Sequence, residues 1–163
     1  MEFSTQSERE TEAFGERLAR HLEPGTVIGL VGPLGAGKTA LVRGIARGLG
    51  VEDGVVHSPT FLTATEYDGR MRLAHIDLYR HEETLPHPDW LAEILDGLDD
   101  AGDDRVAVVE WFERLGADRP DDVLRIDLDY GADDTQRTLS LAATGPRSQR
   151  LLAALTGASE AAA

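Results

Sequence analysis

The stretch "TVIGLVGPLGAGKTALVRGIARGLG", Thr26 to Gly50, decides the fold. Its first part, "TVIGLVG", is short, apolar and rich in β-branched residues, as expected of a parallel strand buried on both faces. Its last part, "ALVRGIARGLG", places Leu41, Val42, Ile45, Ala46 and Leu49 on one helical face and ends on Gly50, a residue suited to a C-terminal cap. Between them lies a glycine-rich turn, so strand, loop and helix follow in the order that the pattern G-x-x-x-x-G-K-[ST] requires. Gly32, Gly37, Lys38 and Thr39 meet that pattern.

Lys38 is the only lysine among 16 basic residues, the rest being arginine. Arg presents a broad planar fork, whereas Lys is a compact charge on a slender stem. A lysine at this one place fits a side chain that threads beneath a tight loop to the outer phosphates of a nucleotide. The run Gly32, Pro33, Leu34, Gly35, Ala36, Gly37, Lys38, Thr39 and Ala40 is therefore read as wrapping the α- and β-phosphates at a helix N-terminus. In that reading Lys38 reaches the β- and γ-oxygens and the Thr39 hydroxyl ligates Mg²⁺. The loop is expected to be exposed, with Lys38 facing water until phosphate covers it.

A metal so placed needs an acid at the end of a neighbouring strand. Glu110 follows "VAVV" and Asp77 follows "LAHI". Glu110 is favoured for the metal because its strand is more continuously apolar and so more central, whereas Asp77 is placed on an alternating strand nearer the edge. Trp111, beside Glu110, is read either as packing near the nucleotide or as core. The chain has no Asn and no second Lys, so it lacks an N-K-x-D guanine-reading loop. ATP is therefore the expected nucleotide.

On the N-terminal side, Phe14, Leu18 and Leu22 recur every four residues, and Thr5 and Glu8 have capping-box spacing. They predict an amphipathic helix from Ser4 to Leu22. On the C-terminal side, "FLTATEY", the Asp68-Gly69 turn and "RMRLAHIDLYR" read as a hairpin. A weaker helix from Pro88 to Leu98 follows, then the acidic loop "DGLDDAGDD" and the apolar strand "RVAVVEW". The antiparallel pair "DVLRIDLDY" and "TQRTLSLAAT" and a helix in "PRSQRLLAAL" close the domain. The two unbroken apolar runs mark the centre of the sheet. The prediction is an α/β three-layer sandwich of the P-loop NTPase kind with a mixed, centrally parallel sheet. A single domain spans 1–156, and the tail 157–163 is expected to be disordered.

The 163 residues suffice for one ordinary domain. With no Cys, a disulfide framework and thiolate metal sites are excluded, and the five His lack metal-ligand spacing. No apolar run approaches the roughly 18 residues of a membrane span, and the start "MEFSTQSERE" lacks the basic and apolar regions of a signal peptide. A cytoplasmic location is expected. A formal net charge of −14 argues against a direct grip on nucleic acid, which needs clustered Lys and Arg.

"GPLGAGKTALVRGIARGLG", "HSPTF", "EYDGR", "HIDLYR" and "VVEW", in this order, resemble the TsaE family of bacterial ATPases, also called YjeE, over about Thr26 to Tyr130. The resemblance implies support for N6-threonylcarbamoyladenosine (t6A) formation at position 37 of tRNA, with ATP and Mg²⁺ as cofactors and TsaB and TsaD as partner proteins. It further implies that Ser58 and Thr60 belong to a switch-like loop, that Asp77 is a functional acid near the γ-phosphate, and that Glu110 serves the magnesium. Asp77, Glu110 and Lys38 are then the catalytic set. Thr39 and Glu110 are the metal ligands. Pro33 stands where the family usually carries an acid, and "RHEETLPHPDWLAEILDGLDD" departs from the family's helix after D-L-Y-R. Two other readings compete: a P-loop small-molecule kinase, which needs an arginine-bearing lid, and a nucleotide-gated interaction module with negligible turnover. Without an obvious arginine finger the chain is expected to hydrolyse ATP slowly alone; Arg80 and Arg114 are the weak candidates for that role.

Overall fold

The computed structural model describes residues 1–57, 63–82 and 86–160. Seven strands form one sheet: β1 (Glu2–Thr5), β2 (Val27–Val31), β3 (Thr63–Tyr67), β4 (Arg72–Asp77), β5 (Arg105–Glu110), β6 (Leu124–Tyr130) and β7 (Arg137–Ala143), in the spatial order β1-β7-β6-β2-β5-β4-β3. The four inner strands β6, β2, β5 and β4 run parallel, and the antiparallel pairs β6–β7, β7–β1 and β3–β4 finish the two sides. The mixed, centrally parallel α/β sheet is the one expected.

Two apolar layers cover the sheet. On one face α1 (Glu8–Ala19), α2 (Lys38–Gly48) and α4 (Pro146–Glu160) bury Phe14, Leu18, Leu41, Ile45, Leu151 and Leu155 against Ile28, Leu30, Val106, Val108 and Ile126. On the other, α3 (Asp89–Gly97) and a 3-10 segment, Phe112–Asp118, cover Val27, Ala74, Ile76, Ala107 and Val109 with Leu91, Phe112 and Leu115. Each such aliphatic or aromatic side chain contributes about 1.5–3 kcal/mol on full burial. β2 leads into α2 on the first face, while its neighbour β5 leads into the 3-10 segment on the second. The chain thus leaves adjacent parallel strands in opposite directions, which opens a crevice at their C-terminal ends.

Three expectations change. The first residues are not helical: Glu2–Thr5 form β1, because the outer edge of β7 offers unpaired backbone groups and the chain start pairs with them. The helix begins after Ser7, whose hydroxyl accepts from the Glu10 amide, while the Glu10 carboxylate accepts from the Gln6 amide. Thr5 is buried and shares a 2.8 Å hydroxyl bond with Thr11 instead of capping. Second, β4 does not alternate between core and solvent: Leu73 to Asp77 are all buried. It lies between β5 and β3 under both layers, so His75 and Asp77 sit inside the protein. Third, α4 continues through Gly157 to Glu160, taking in part of the stretch read as a tail, and 161–163 lie outside the described residues. Among the described residues no helix is long and apolar enough to cross a membrane.

Candidate functional site

The loop between β2 and α2 turns sharply at Gly35 (φ +79°) and Gly37 (φ +99°), conformations that a side-chain-bearing residue adopts only under strain. Gly37 caps α2, so the amides of Lys38, Thr39 and Ala40 fall in the first helical turn, where no intrahelical carbonyl can accept them. They face a cleft of about 610 Å³ at the C-terminal ends of the parallel strands. Leu34, Gly35, Gly37, Lys38, Thr39 and Ala40 line it from the loop, Asp77, Tyr79 and Arg80 from the end of β4, and Glu110 and Trp111 from the end of β5. Ser7 and Thr11 of the α1 region, Asp134 and Thr135 just before β7, and Arg137 at its start also line it.

Lys38 is only 5% exposed. Its Nζ donates to the carbonyls of Gly32 (2.6 Å) and Pro33 (2.8 Å) and lies 4.2 Å from the centre of the Trp111 ring. The expectation that this ammonium faces water is therefore corrected: a buried cation must find acceptors, and the loop's own carbonyls and an aromatic face supply them. Burial holds the Lys38 pKa below the ordinary lysine value, partly opposed by the carboxylates of Glu110, Glu113 and Asp77. Pro33, which cannot donate an amide, contributes through its carbonyl, which also accepts from the Ala36 amide.

Trp111 lines the cleft. It holds φ +58°, the one non-glycine residue with positive φ among those described, a conformation costing about 1–3 kcal/mol. The ring carries Lys38 on one side, the Arg114 guanidinium 4.8 Å from its centre, and Tyr79 at 5.2 Å. Arg114 itself donates to the carbonyls of Leu78, Tyr79 and His81. Its Nη1 thus ties Arg114 to the segment after β4.

The two acids end neighbouring parallel strands in register, Asp77 beside Glu110. Glu110 is 2% exposed and accepts from the Thr39 hydroxyl at Oε1 (3.1 Å), while His75 Nε2 meets its Oε2 at 2.6 Å. Asp77, 4% exposed, accepts from the Tyr79 amide at 2.9 Å, which turns the chain away from β4. Thr39 and Glu110 thus converge, an oxygen pair of the hard type that suits Mg²⁺. No group of three or more His, Cys, Asp or Glu is set to hold a metal among the described residues. Ser58 and Thr60 lie outside the described residues.

The structure adds residues that pattern reading missed. Arg137, the first residue of β7, donates to the carbonyls of Ala36 (3.1 Å) and Gly35 (3.3 Å), and its guanidinium stacks 4.6 Å from the Tyr130 ring centre. Tyr130 donates its hydroxyl to the Leu34 carbonyl at 2.9 Å. The loop's carbonyls are thus held from outside by β6 and β7, leaving its amide side to the cleft. Nothing in the local sequence signals this, because the partners lie about a hundred positions apart. His75 did carry a signal: it stands two residues before Asp77 and so on the same strand face.

Residues 5–139 match the family model described as "Threonylcarbamoyl adenosine biosynthesis protein TsaE". A Synechocystis protein named tRNA threonylcarbamoyladenosine biosynthesis protein TsaE is 43% identical over 121 residues, 71% of this chain and 72% of its own length. The Bacillus subtilis protein of the same name is 36% identical over 153 residues, 93% of this chain and 90% of its own. The crystal structure of Bacillus subtilis YdiB superposes with a TM-score of 0.78 at 30% identity, covering 98% of this chain and 95% of that one. A match across most of the chain, together with one shared fold, settles the kinship: the chain belongs to the TsaE family.

Proposed function

We propose that the protein binds ATP with Mg²⁺ in the cleft, hydrolyses it slowly, and serves tRNA t6A biosynthesis at position 37 together with TsaB and TsaD. The carrying observation is the convergence of three elements on one crevice: the glycine loop with Lys38, the Thr39 hydroxyl, and the Glu110 carboxylate to which it is bonded. In this reading the amides of the first turn of α2 receive the β-phosphate. Lys38 exchanges the carbonyls of Gly32 and Pro33 for phosphate oxygens. When bound, Mg²⁺ neutralises charge between the outer phosphates, and Thr39 and Glu110 are the residues that would hold it. Asp77, at the neighbouring strand end, is the acid available to orient an attacking water, held in place by the Tyr79 amide.

Action through partners rather than by direct grip on tRNA is supported by the formal net charge of −14. The kinase reading loses support because Arg114 is tied to backbone carbonyls rather than offered to a γ-phosphate. The interaction-module reading differs from the preferred one only in turnover. Two measurements decide. Calorimetry with Mg-ATP, metal-free ATP and GTP should show preference for Mg-ATP, and absence of ATP binding would end the proposal. Size exclusion with TsaB and TsaD, in ATP and then in ADP, should show nucleotide-dependent co-elution, with ATP turnover rising in the mixture. No association in either nucleotide would remove the partner part.

A further inference from the structure

His75 is fully buried in β4, where a polar side chain is costly unless it bonds. Among the described residues its ring has one close polar partner: Nε2 stands 2.6 Å from Oε2 of Glu110. Its Nδ1 is buried without a hydrogen-bond partner among the described residues. An ionised carboxylate can only accept, so the proton of the short bond sits on Nε2.

We infer that His75 is a positioning residue for Glu110: its Nε2–H occupies Oε2 and fixes the carboxylate plane, so that Oε1, beside the Thr39 hydroxyl, is the single oxygen turned to the cation. The inference rests on the Mg-ATP reading of the cleft. It assigns a function to a residue that touches neither nucleotide nor metal. A carboxylate bonded on one oxygen only to the Thr39 hydroxyl could rotate about its last torsion, which is broad for Glu. With His75 in place that freedom is gone before the cation arrives. Groups that orient a metal ligand in this way typically govern roughly 10–100-fold of metal affinity.

The test has two arms. In the first, ATP affinity is measured by calorimetry across a Mg²⁺ titration for the wild type, His75→Leu and His75→Gln. Leu cannot donate, whereas the Gln amide nitrogen can reach the position of Nε2. The expected result is a rise of roughly tenfold or more in the Mg²⁺ needed by His75→Leu, with metal-free ATP affinity unchanged and the requirement largely restored in His75→Gln. A residue that merely filled the core would shift both affinities or neither. In the second arm, long-range ¹⁵N–¹H correlations of the wild-type protein without nucleotide or metal read the His75 ring directly. They should show the proton on Nε2, in the bond to Glu110. An unchanged Mg²⁺ requirement in a folded His75→Leu overturns the inference, as does a ring protonated at Nδ1 alone. A wild type that binds no ATP overturns the Mg-ATP reading, and the claim that His75 positions a metal ligand falls with it. The spectrum then still tells whether the His75–Glu110 bond exists. If His75→Leu fails to fold, His75→Gln and the spectrum decide.

Discussion

Replacing Arg137 with Ala should weaken nucleotide binding without unfolding the protein, although Arg137 lies far from the glycine loop in sequence. Its guanidinium donates to two loop carbonyls, those of Ala36 at 3.1 Å and Gly35 at 3.3 Å, and stacks on Tyr130. A hydrogen bond from a charged group contributes about 1.5–3 kcal/mol. The longer of the two is partly solvated, so about 2 kcal/mol of loop order depends on this side chain. At 1.4 kcal/mol per factor of ten, the Kd for Mg-ATP should rise by about thirtyfold. ATP and ADP should lose equally, because the loop cradles the phosphates they share. Tyr130→Phe removes one neutral bond, to the Leu34 carbonyl, and should cost about 0.5–1.5 kcal/mol. The two losses should not add, since both side chains brace one short loop. Arg137→Lys should rescue only in part, because a single ammonium lacks the planar fork with which the guanidinium donates from two nitrogens while lying against the Tyr130 ring. Calorimetry supplies the Kd and a denaturant melt the folding control. A Kd for Arg137→Ala within about twofold of wild type (less than 0.5 kcal/mol) would refute the reasoning and show that the loop orders itself.

Three further outcomes are expected. Glu110→Gln should keep metal-free ATP affinity within about tenfold, since the loop amides remain, and should lose most Mg²⁺-dependent hydrolysis; unchanged turnover would move the metal role to Asp77. Gly44→Ala should destabilise the fold by about 1–3 kcal/mol, the usual cost of an overpacked core site, because its Cβ would fall well inside contact distance of the Glu12 carbonyl where α2 crosses α1; an unchanged urea midpoint would mean that the two helices can part. An amine reagent has two targets, Lys38 and the α-amino group, which itself donates to the Leu141 carbonyl at 2.9 Å. Lys38 should label slowly in the native protein even without nucleotide, and faster in Trp111→Ala; a native rate equal to that in the urea-unfolded chain would contradict the enclosed lysine.

The enclosed lysine also marks what a sequence can and cannot disclose. Strand β2, the glycine loop and α2 were legible because each is written in local terms: an apolar run, glycines where φ must be positive, and a 3.6-residue apolar period. Glu110 and Asp77 were legible as strand-end acids because parallel strands deliver their C-terminal ends to one side. Which of the inner strands were buried on both faces was less legible, since β4 carries His75 and Asp77 and so imitates an alternating edge. The chain start was misread for a related reason. Phe14 and Leu18 do belong to a helix, but Glu2–Thr5 answer to the open edge of β7, a partner some 135 positions away.

The same distinction explains why the supporting side chains escaped notice while the reacting ones did not. A residue that meets phosphate or metal is constrained by chemistry and recurs in a short pattern around its own backbone. Arg137, Tyr130 and His75 are constrained by what they hold, and a sequence does not show which carbonyl or carboxylate the fold will set before them. Lys38 belongs to both groups. Its identity was readable from the pattern, but its environment was not, because the carbonyls of Gly32 and Pro33 and the ring of Trp111 reach it only once loop, helix and β5 are assembled. Removing the ammonium from those acceptors has a free-energy cost, so in the proposed Mg-ATP reading phosphate must outcompete them. On that reading the competition favours a ligand carrying several negative charges over one carrying few, and so would tie discrimination between triphosphate and smaller anions to the strength of the lysine's internal bonds.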